Sequence, residues 1–133
     1  YFMKKKHLIK KMVGICLVAI MAVAGVGKYA KAGTFNVPGA WGGCSAEKVR
    51  GTAYTVVGTE WNSYGSVSAT FSCYSGGACL FSQGDGAGGV HGASVSIFFN
   101  GDEKSVTHSS IMATHIAVVE NDKYERSTSD SMN

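Results

Sequence analysis

A strict alternation of apolar and polar residues in the middle of the chain constrains the fold more than any other feature. Over residues 66–74 every second residue is apolar or aromatic, and serines and a threonine stand between them. A period of two is typical of a β-strand with one buried face and one face in water. Residues 33–133 are also rich in glycine, serine, threonine and valine, a composition that favours strands and tight turns over helices.

Three further segments are predicted to be strands. Residues 93–99 also alternate, and residues 52–57 are short, β-branched and bounded by glycines. Residues 110–120 are apolar on both faces, which is typical of a central strand. Short strands joined by glycine turns predict one all-β domain, a small antiparallel β-sandwich or an open barrel. Residues 45–50 are the only predicted helical turn, and the polar residues 122–133 are predicted to fray.

Turn residues suggest how the strands connect. A four-residue loop over residues 100–103 would set Ile97 opposite Val106, so that two apolar side chains pair on one face. Residues 84–92 read GDGAGGVHG and are predicted to form a flexible connector, because glycine is so frequent in them.

Three cysteines lie between residues 33 and 133. A three-residue loop over residues 75–77 would place Cys73 opposite Cys79, and we predict a disulfide between these two. A bridge from Cys44 to either of them would close a longer loop, which the chain-entropy model favours, whereas the strand pairing favours the short bridge. Cys44 is then free, paired with another molecule, or catalytic.

Residues 1–32 have the pattern of a secretory signal peptide. Lysines precede an apolar stretch over residues 12–26, and Ala30-Lys31-Ala32 supplies the small residues that a signal peptidase recognises. The stretch is short for a membrane span. We therefore predict cleavage after Ala32 and one secreted domain over residues 33–133 that is not an integral membrane protein. That domain carries five basic and nine acidic residues, 5 − 9 = −4, which disfavours nucleic acid as a partner.

No cofactor and no metal site are predicted. Residues 84–89 match the G-x-G-x-x-G pattern, but the helix that a dinucleotide site requires is not predicted after them. His91, His108 and His115 lack the close spacing of zinc ligands, and Asp85 alone would not supply the oxygen shell of calcium.

Cys44 and His115 have the pattern of a thiol nucleophile and its base. Cys44 precedes the predicted helical turn, where a helix N-terminus lowers the pKa of a thiol, and His115 lies in the predicted central strand. This order resembles that of the CHAP and NlpC-type cell-wall peptidases, in which a Gly-Cys at a helix start is followed by a strand beginning with His. Residues 92–99 resemble the GA-x-V-x-F strand of those families. The resemblance implies a papain-like hydrolase of peptidoglycan in which Cys44 attacks, His115 is the base and Asn133 orients the ring.

A second resemblance uses other residues. Residues 58–65 (GTEWNSYG) and 91–95 (HGASV) resemble the G-T-W, Y-G and H-x-A-x-V elements of the lactococcin family of Sec-exported, unmodified bacteriocins. The resemblance implies a small β-sandwich that acts at the bacterial envelope without catalysis. The best-known member of that family binds the peptidoglycan precursor lipid II. In this case Trp61, Tyr64, Tyr74 and His91 would recognise the partner by stacking and hydrogen bonding.

The aromatic residues also suggest a third interpretation, a secreted binding or structural module. Its stacking face for sugars or peptides would consist of Trp41, Trp61, Tyr54, Tyr64 and Tyr74. We expect a small secreted bacterial protein that acts at the cell envelope like a bacteriocin, with a cell-wall precursor or peptidoglycan as partner. The alternatives are the cysteine peptidase or amidase of peptidoglycan and the binding module.

Overall fold

A computed structural model describes residues 33–58 and 62–133. The predicted signal peptide, its cleavage site after Ala32 and the candidate residue Trp61 lie outside these residues. Within the described ranges no helix has the length and apolar character needed to cross a membrane. The strands are β1 (Thr34–Val37), β2 (Ala40–Ala46), β3 (Arg50–Val57), β4 (Tyr64–Ser75), β5 (Ala78–Gly89), β6 (Gly92–Phe98), β7 (His108–Val119) and β8 (Asp122–Met132), with a 3-10 helix at Glu103–Ser105.

The eight strands form two antiparallel sheets of four. The first sheet has the order β1-β2-β3-β6, and the second has the order β5-β4-β7-β8. The two sheets do not close into a barrel, so the predicted all-β sandwich is confirmed. The four segments predicted as strands correspond to β3, β4, β6 and β7, although residues 93–99 and 110–120 each extend one residue beyond the observed strand. β7 is flanked by β4 and β8, as expected for a central strand.

The core lies between the sheets and is divided into two clusters. The larger one surrounds Phe71 and Ile111, which are fully buried, and the smaller one contains Phe35 and Val57. The alternating residues of β4 explain the larger cluster, because their apolar side chains all face the first sheet. Gly51 of β3 lies directly under the Phe71 ring, where a Cβ atom would collide with it.

The hairpin predicted at residues 100–103 is wrong. β6 pairs with β3 along its whole length, and the chain then crosses to the second sheet, where β7 pairs with β4. Asp102 accepts hydrogen bonds from Lys104 N and Ser105 Oγ and so organises the 3-10 turn of this crossing. Val106 is buried in the core rather than paired with Ile97.

Three other local predictions are also wrong. Residues 84–89 are part of β5 and pair with β4, so the glycine-rich segment is a strand and the turn after it is short. Residues 45–50 do not form a helical turn, because β2 continues to Ala46 and β3 begins at Arg50. Residues 122–133 do not fray, since β8 pairs with β7 from Asp122 to Met132.

The predicted Cys73–Cys79 disulfide is wrong as well, because Cys73 is a free, buried thiol. A register shift between Cys73 and Tyr74 places Cys73 opposite Phe81 and Cys79 opposite Tyr74. Directly opposed residues share a face of the sheet and neighbours along a strand do not. Cys73 therefore points into the core, 3.6 Å from the Lys48 carbonyl oxygen.

Candidate functional site

A chain of polar side chains crosses the sandwich between its two core clusters. The inward faces of β2, β3, β7 and β8 each contribute one member, because alternation turns every second residue of a strand inward. All four side chains are buried, with exposed fractions of 6% or less. The members are Cys44, Thr55, His115 and Thr128.

Hydrogen bonds connect these four side chains in one line. Thr128 Oγ1 lies 3.2 Å from Cys44 Sγ, in position to donate to it, and 2.6 Å from His115 Nε2. On the other side of the ring, His115 Nδ1 lies 3.0 Å from Thr55 Oγ1. Thr55 donates its proton to the Ser66 carbonyl oxygen at 2.8 Å. The line thus runs from the thiol, through the imidazole, to the backbone of β4.

Counting protons shows that this line is complete with every group neutral. Thr55 has given its proton to Ser66, so its oxygen accepts from His115 Nδ1–H. Nε2 of a neutral ring is then an acceptor, and the Thr128 hydroxyl has both Nε2 and Cys44 Sγ within reach of its one proton.

Burial favours the same neutral states. Desolvation raises the pKa of Cys44 from 9.0 to about 11, and the nearby Asp130 charge adds to the rise, although the Thr128 hydrogen bond opposes it. Desolvation lowers the pKa of His115 from 6.5 to about 4, against the effect of a hydrogen bond to the Tyr54 backbone. At neutral pH the site therefore holds a thiol and a neutral imidazole rather than a thiolate and an imidazolium.

The structure brings two members of the proposed catalytic triad near each other but not the third. Cys44 and His115 are joined through Thr128 and not directly. Cys44 lies within a strand, so no helix N-terminus lowers its pKa. Asn133 Oδ1 lies 2.6 Å from Nδ1 of His108, a different and more exposed histidine. A buried, protonated thiol is a poor nucleophile.

Two of the proposed recognition residues lie at one end of the second sheet. Tyr64 opens β4 and is 46% exposed, and the exposed His91 lies in the turn that joins β5 to β6. Val90 in the same turn is 65% exposed, and its carbonyl oxygen accepts a hydrogen bond from Ser63 Oγ. The Tyr64 ring lies across Gly88 of β5, where a Cβ atom would collide with it. We call Tyr64, Val90 and His91 the β5–β6 end.

Tyr74 lies apart from this end. It is on the same face of β4 as Tyr64 but ten residues further along the strand, roughly 33 Å at the rise of an antiparallel strand. Tyr74 is buried and packs beside the His108 ring. Of the three proposed recognition residues that the structure describes, Tyr64 and His91 lie at the same end and Tyr74 lies apart.

A second set of exposed aromatic residues lies on the outer face of the first sheet. Trp41 of β2 is 48% exposed, Tyr54 of β3 is 40% exposed and Phe98 of β6 is 54% exposed. This face points away from β4, so the aromatic residues of the predicted stacking face are divided between opposite sides of the sandwich. Phe98 was missed by the sequence analysis, although its outward position follows from the alternation of β6.

Thr55 and Thr128 were also missed as partners of His115. Thr55 belongs to a segment correctly predicted as a strand, and its inward position follows from the alternation there. Thr128 lies in the segment predicted to fray, so nothing in the sequence pointed to its burial. Among the described residues, no group of three or more His, Cys, Asp or Glu side chains is arranged to hold a metal ion.

Comparisons of this chain with protein-family models, with curated proteins and with solved structures found no match.

Proposed function

We propose that the protein is a small secreted bacterial protein that acts at the cell envelope by binding, in the manner of a bacteriocin, and not by catalysis. The proposed partner is a cell-wall precursor or peptidoglycan. The basic and apolar pattern of residues 1–32 supports export, and the resemblance of residues 58–65 and 91–95 to bacteriocin elements supports the target.

The observation that carries the proposal is the contrast between what is exposed and what is buried. Tyr64, Val90 and His91 are exposed together at the β5–β6 end, and an amphipathic ring, an aliphatic group and an imidazole are suited to recognising a sugar or peptide. The proposed nucleophile Cys44 is buried between the sheets, and its raised pKa keeps it protonated at neutral pH. Two of the proposed binding residues, Tyr64 and His91, are accessible, whereas the proposed nucleophile Cys44 is not.

Growth inhibition tests this proposal. Purified residues 33–133 should inhibit related bacteria, and Tyr64→Ala should weaken inhibition at least about tenfold, because it removes a ring whose burial in a complex contributes about 1.5–3 kcal/mol. Tyr54→Ala is the matched control, since Tyr54 is a similarly exposed tyrosine on the opposite face. Cys44→Ala should inhibit as strongly as the unchanged protein. Inhibition lost with Cys44→Ala but retained with Tyr64→Ala would refute the proposal.

The peptidoglycan hydrolase is the second candidate, favoured by the Cys44–Thr128–His115 line alone. It requires the buried thiol to become accessible and to lose its proton. Release of soluble fragments from purified cell walls measures this activity directly. Fragment release that disappears with Cys44→Ala would establish the hydrolase in place of the binding protein.

A further inference from the structure

The four sheet edges of the sandwich differ in how well they are protected against an added strand. The edges of the first sheet, β1 and β6, have only four and seven residues. In the second sheet, β8 has eleven residues and carries five charged side chains, which discourage pairing. β5 has twelve residues and one charged side chain, Asp85, with no lysine or proline. β5 is therefore the least protected long edge.

The accessible part of this edge is its second half. Residues 83–88 are all exposed, although the Tyr64 ring lies across one face of Gly88. Their partners on β4 lie on one side only, with Ser68 opposite Gly86 at the centre. The other side of the strand is open to solvent.

A side-chain hydrogen bond shows which backbone groups face the open side. The Gly86 N–H donates to Oδ1 of Asp85 at 2.8 Å. In an antiparallel ladder both backbone groups of a residue point to the same side of the strand, and the side changes with each residue. Gly86 therefore turns its N–H and C=O away from β4, and so do Gly84 and Gly88 two residues to either side.

We infer that the open edge of β5 pairs antiparallel with the same edge of a second copy of this chain, about a two-fold axis at Gly86, and that Asp85 opposes this pairing. In this register Gly86 of each copy faces Gly86 of the other, and Gly84 faces Gly88 of the second copy. Each of these three pairs exchanges two backbone hydrogen bonds, which gives six in all. The two sheets then continue as one.

A second copy is the occupant that fits this edge. The open backbone groups are evenly spaced on both sides of Gly86, so two identical edges match donor to acceptor, as an isologous interface requires. The residues that carry them have no side chains that would select another sequence. Two paired β5 edges bury far less surface than the roughly 1,200 Å² that a stable complex buries. The dimer of the unchanged protein is therefore weak.

Asp85 opposes the pairing in two ways. Its carboxylate occupies the Gly86 N–H, the donor at the centre of the proposed interface. The Asp85 side chains of two paired copies would also lie on the same face as diagonal neighbours, where like charges destabilise a pair of strands. Both effects are removed by Asp85→Ala, whereas Asp85→Asn removes the charge and keeps an oxygen for the Gly86 N–H.

Sedimentation over a range of protein concentrations tests the inference. The dimer dissociation constant should fall at least about tenfold with Asp85→Ala and by a smaller factor with Asp85→Asn. Asp122→Asn is the matched control for charge, because it removes an exposed carboxylate from β8 and should leave the constant unchanged. Adding Gly86→Pro to Asp85→Ala should restore the monomer, since proline removes the central N–H and is tolerated on a sheet edge.

Near-ultraviolet circular dichroism confirms that each variant is folded before it is scored. Association of Asp85→Ala that persists with Gly86→Pro would overturn the inference, as would an Asp85→Ala variant that stays monomeric. The inference is independent of the proposed function, because sedimentation and growth inhibition are measured separately.

Discussion

Cys44 Sγ lies inside the protein beside the Thr128 hydroxyl, and its burial determines how the thiol reacts. Only the thiolate is nucleophilic, and burial raises the pKa of Cys44 to about 11 from 9.0. At pH 8 the thiolate fraction of the folded protein is therefore about one hundredth of that in the unfolded chain. Reaction with iodoacetamide, followed by mass mapping of Cys44, should be at least about a hundredfold slower in the folded protein than in concentrated urea. Rapid labelling of the folded protein would contradict the buried site.

His115 should make stability depend on pH. Its pKa falls from 6.5 in the unfolded chain to about 4 in the fold, so the unfolded state binds the proton more tightly. The stabilisation is fully present above pH 6.5 and is lost progressively as the pH falls toward 4, which amounts to roughly 3 kcal/mol. Urea unfolding at several pH values measures this loss.

His115→Gln is the control for that measurement. Glutamine keeps polar atoms near Thr55 and Thr128 but does not titrate, so the variant should be less stable at pH 7 and should lack this part of the pH dependence. A variant with the same pH dependence as the unchanged protein would show that other groups cause it.

At the scale of single strands, the close approach of β3 to β4 leaves no room for a side chain at Gly51. A methyl group there would strike the fully buried Phe71 ring. We expect Gly51→Ala to lower the free energy of unfolding by about 1–3 kcal/mol, as overpacking does. Gly84→Ala is the matched control, because its Cβ would meet neighbours at ordinary distances, beginning at 3.5 Å, and it should change stability little.

The strands predicted correctly from the sequence are those in which the pattern of apolar and polar side chains shows which face is buried. In β4, β3 and β6 the alternation of apolar and hydroxyl residues is sufficient to define both the strand and its inner face. The inward positions of Cys44 and His115 do not follow from such an alternation, because Cys44 was placed before a helical turn and residues 110–120 are apolar on both faces. Their connection through Thr128 also escaped prediction, because it depends on how β8 lies beside β7.

Elements that depend on backbone pairing escaped prediction. The glycines of β5 provide no side-chain pattern, and their conformation follows from hydrogen bonding to β4. The polar residues of β8 become a strand because β7 offers a complete partner edge. Propensity was overridden by tertiary context in both cases. The Cys73–Cys79 prediction failed for a related reason, since one register shift moved the two residues to different faces.

For the molecule as a whole, β8 holds the two sheets together. Asp130 Oδ2 accepts a hydrogen bond from the Ala46 N–H of the first sheet at 2.8 Å, and Thr128 contacts Cys44 of the same strand. Deletion of residues 122–133 should therefore abolish the cooperative unfolding transition and the near-ultraviolet dichroism. Deletion of residues 132–133 alone should preserve both, because it removes only exposed or half-buried residues. A folded protein without β8 would contradict this role.

The first and last described strands meet: the Gly33 N–H donates to the Ser129 carbonyl oxygen at 2.8 Å. A polypeptide that is synthesised amino-end first cannot make this contact until Ser129 has been added, and long-range pairing of this kind is slow. The two sheets therefore close on each other late, because the strand that joins them is the last of the eight described strands in chain order.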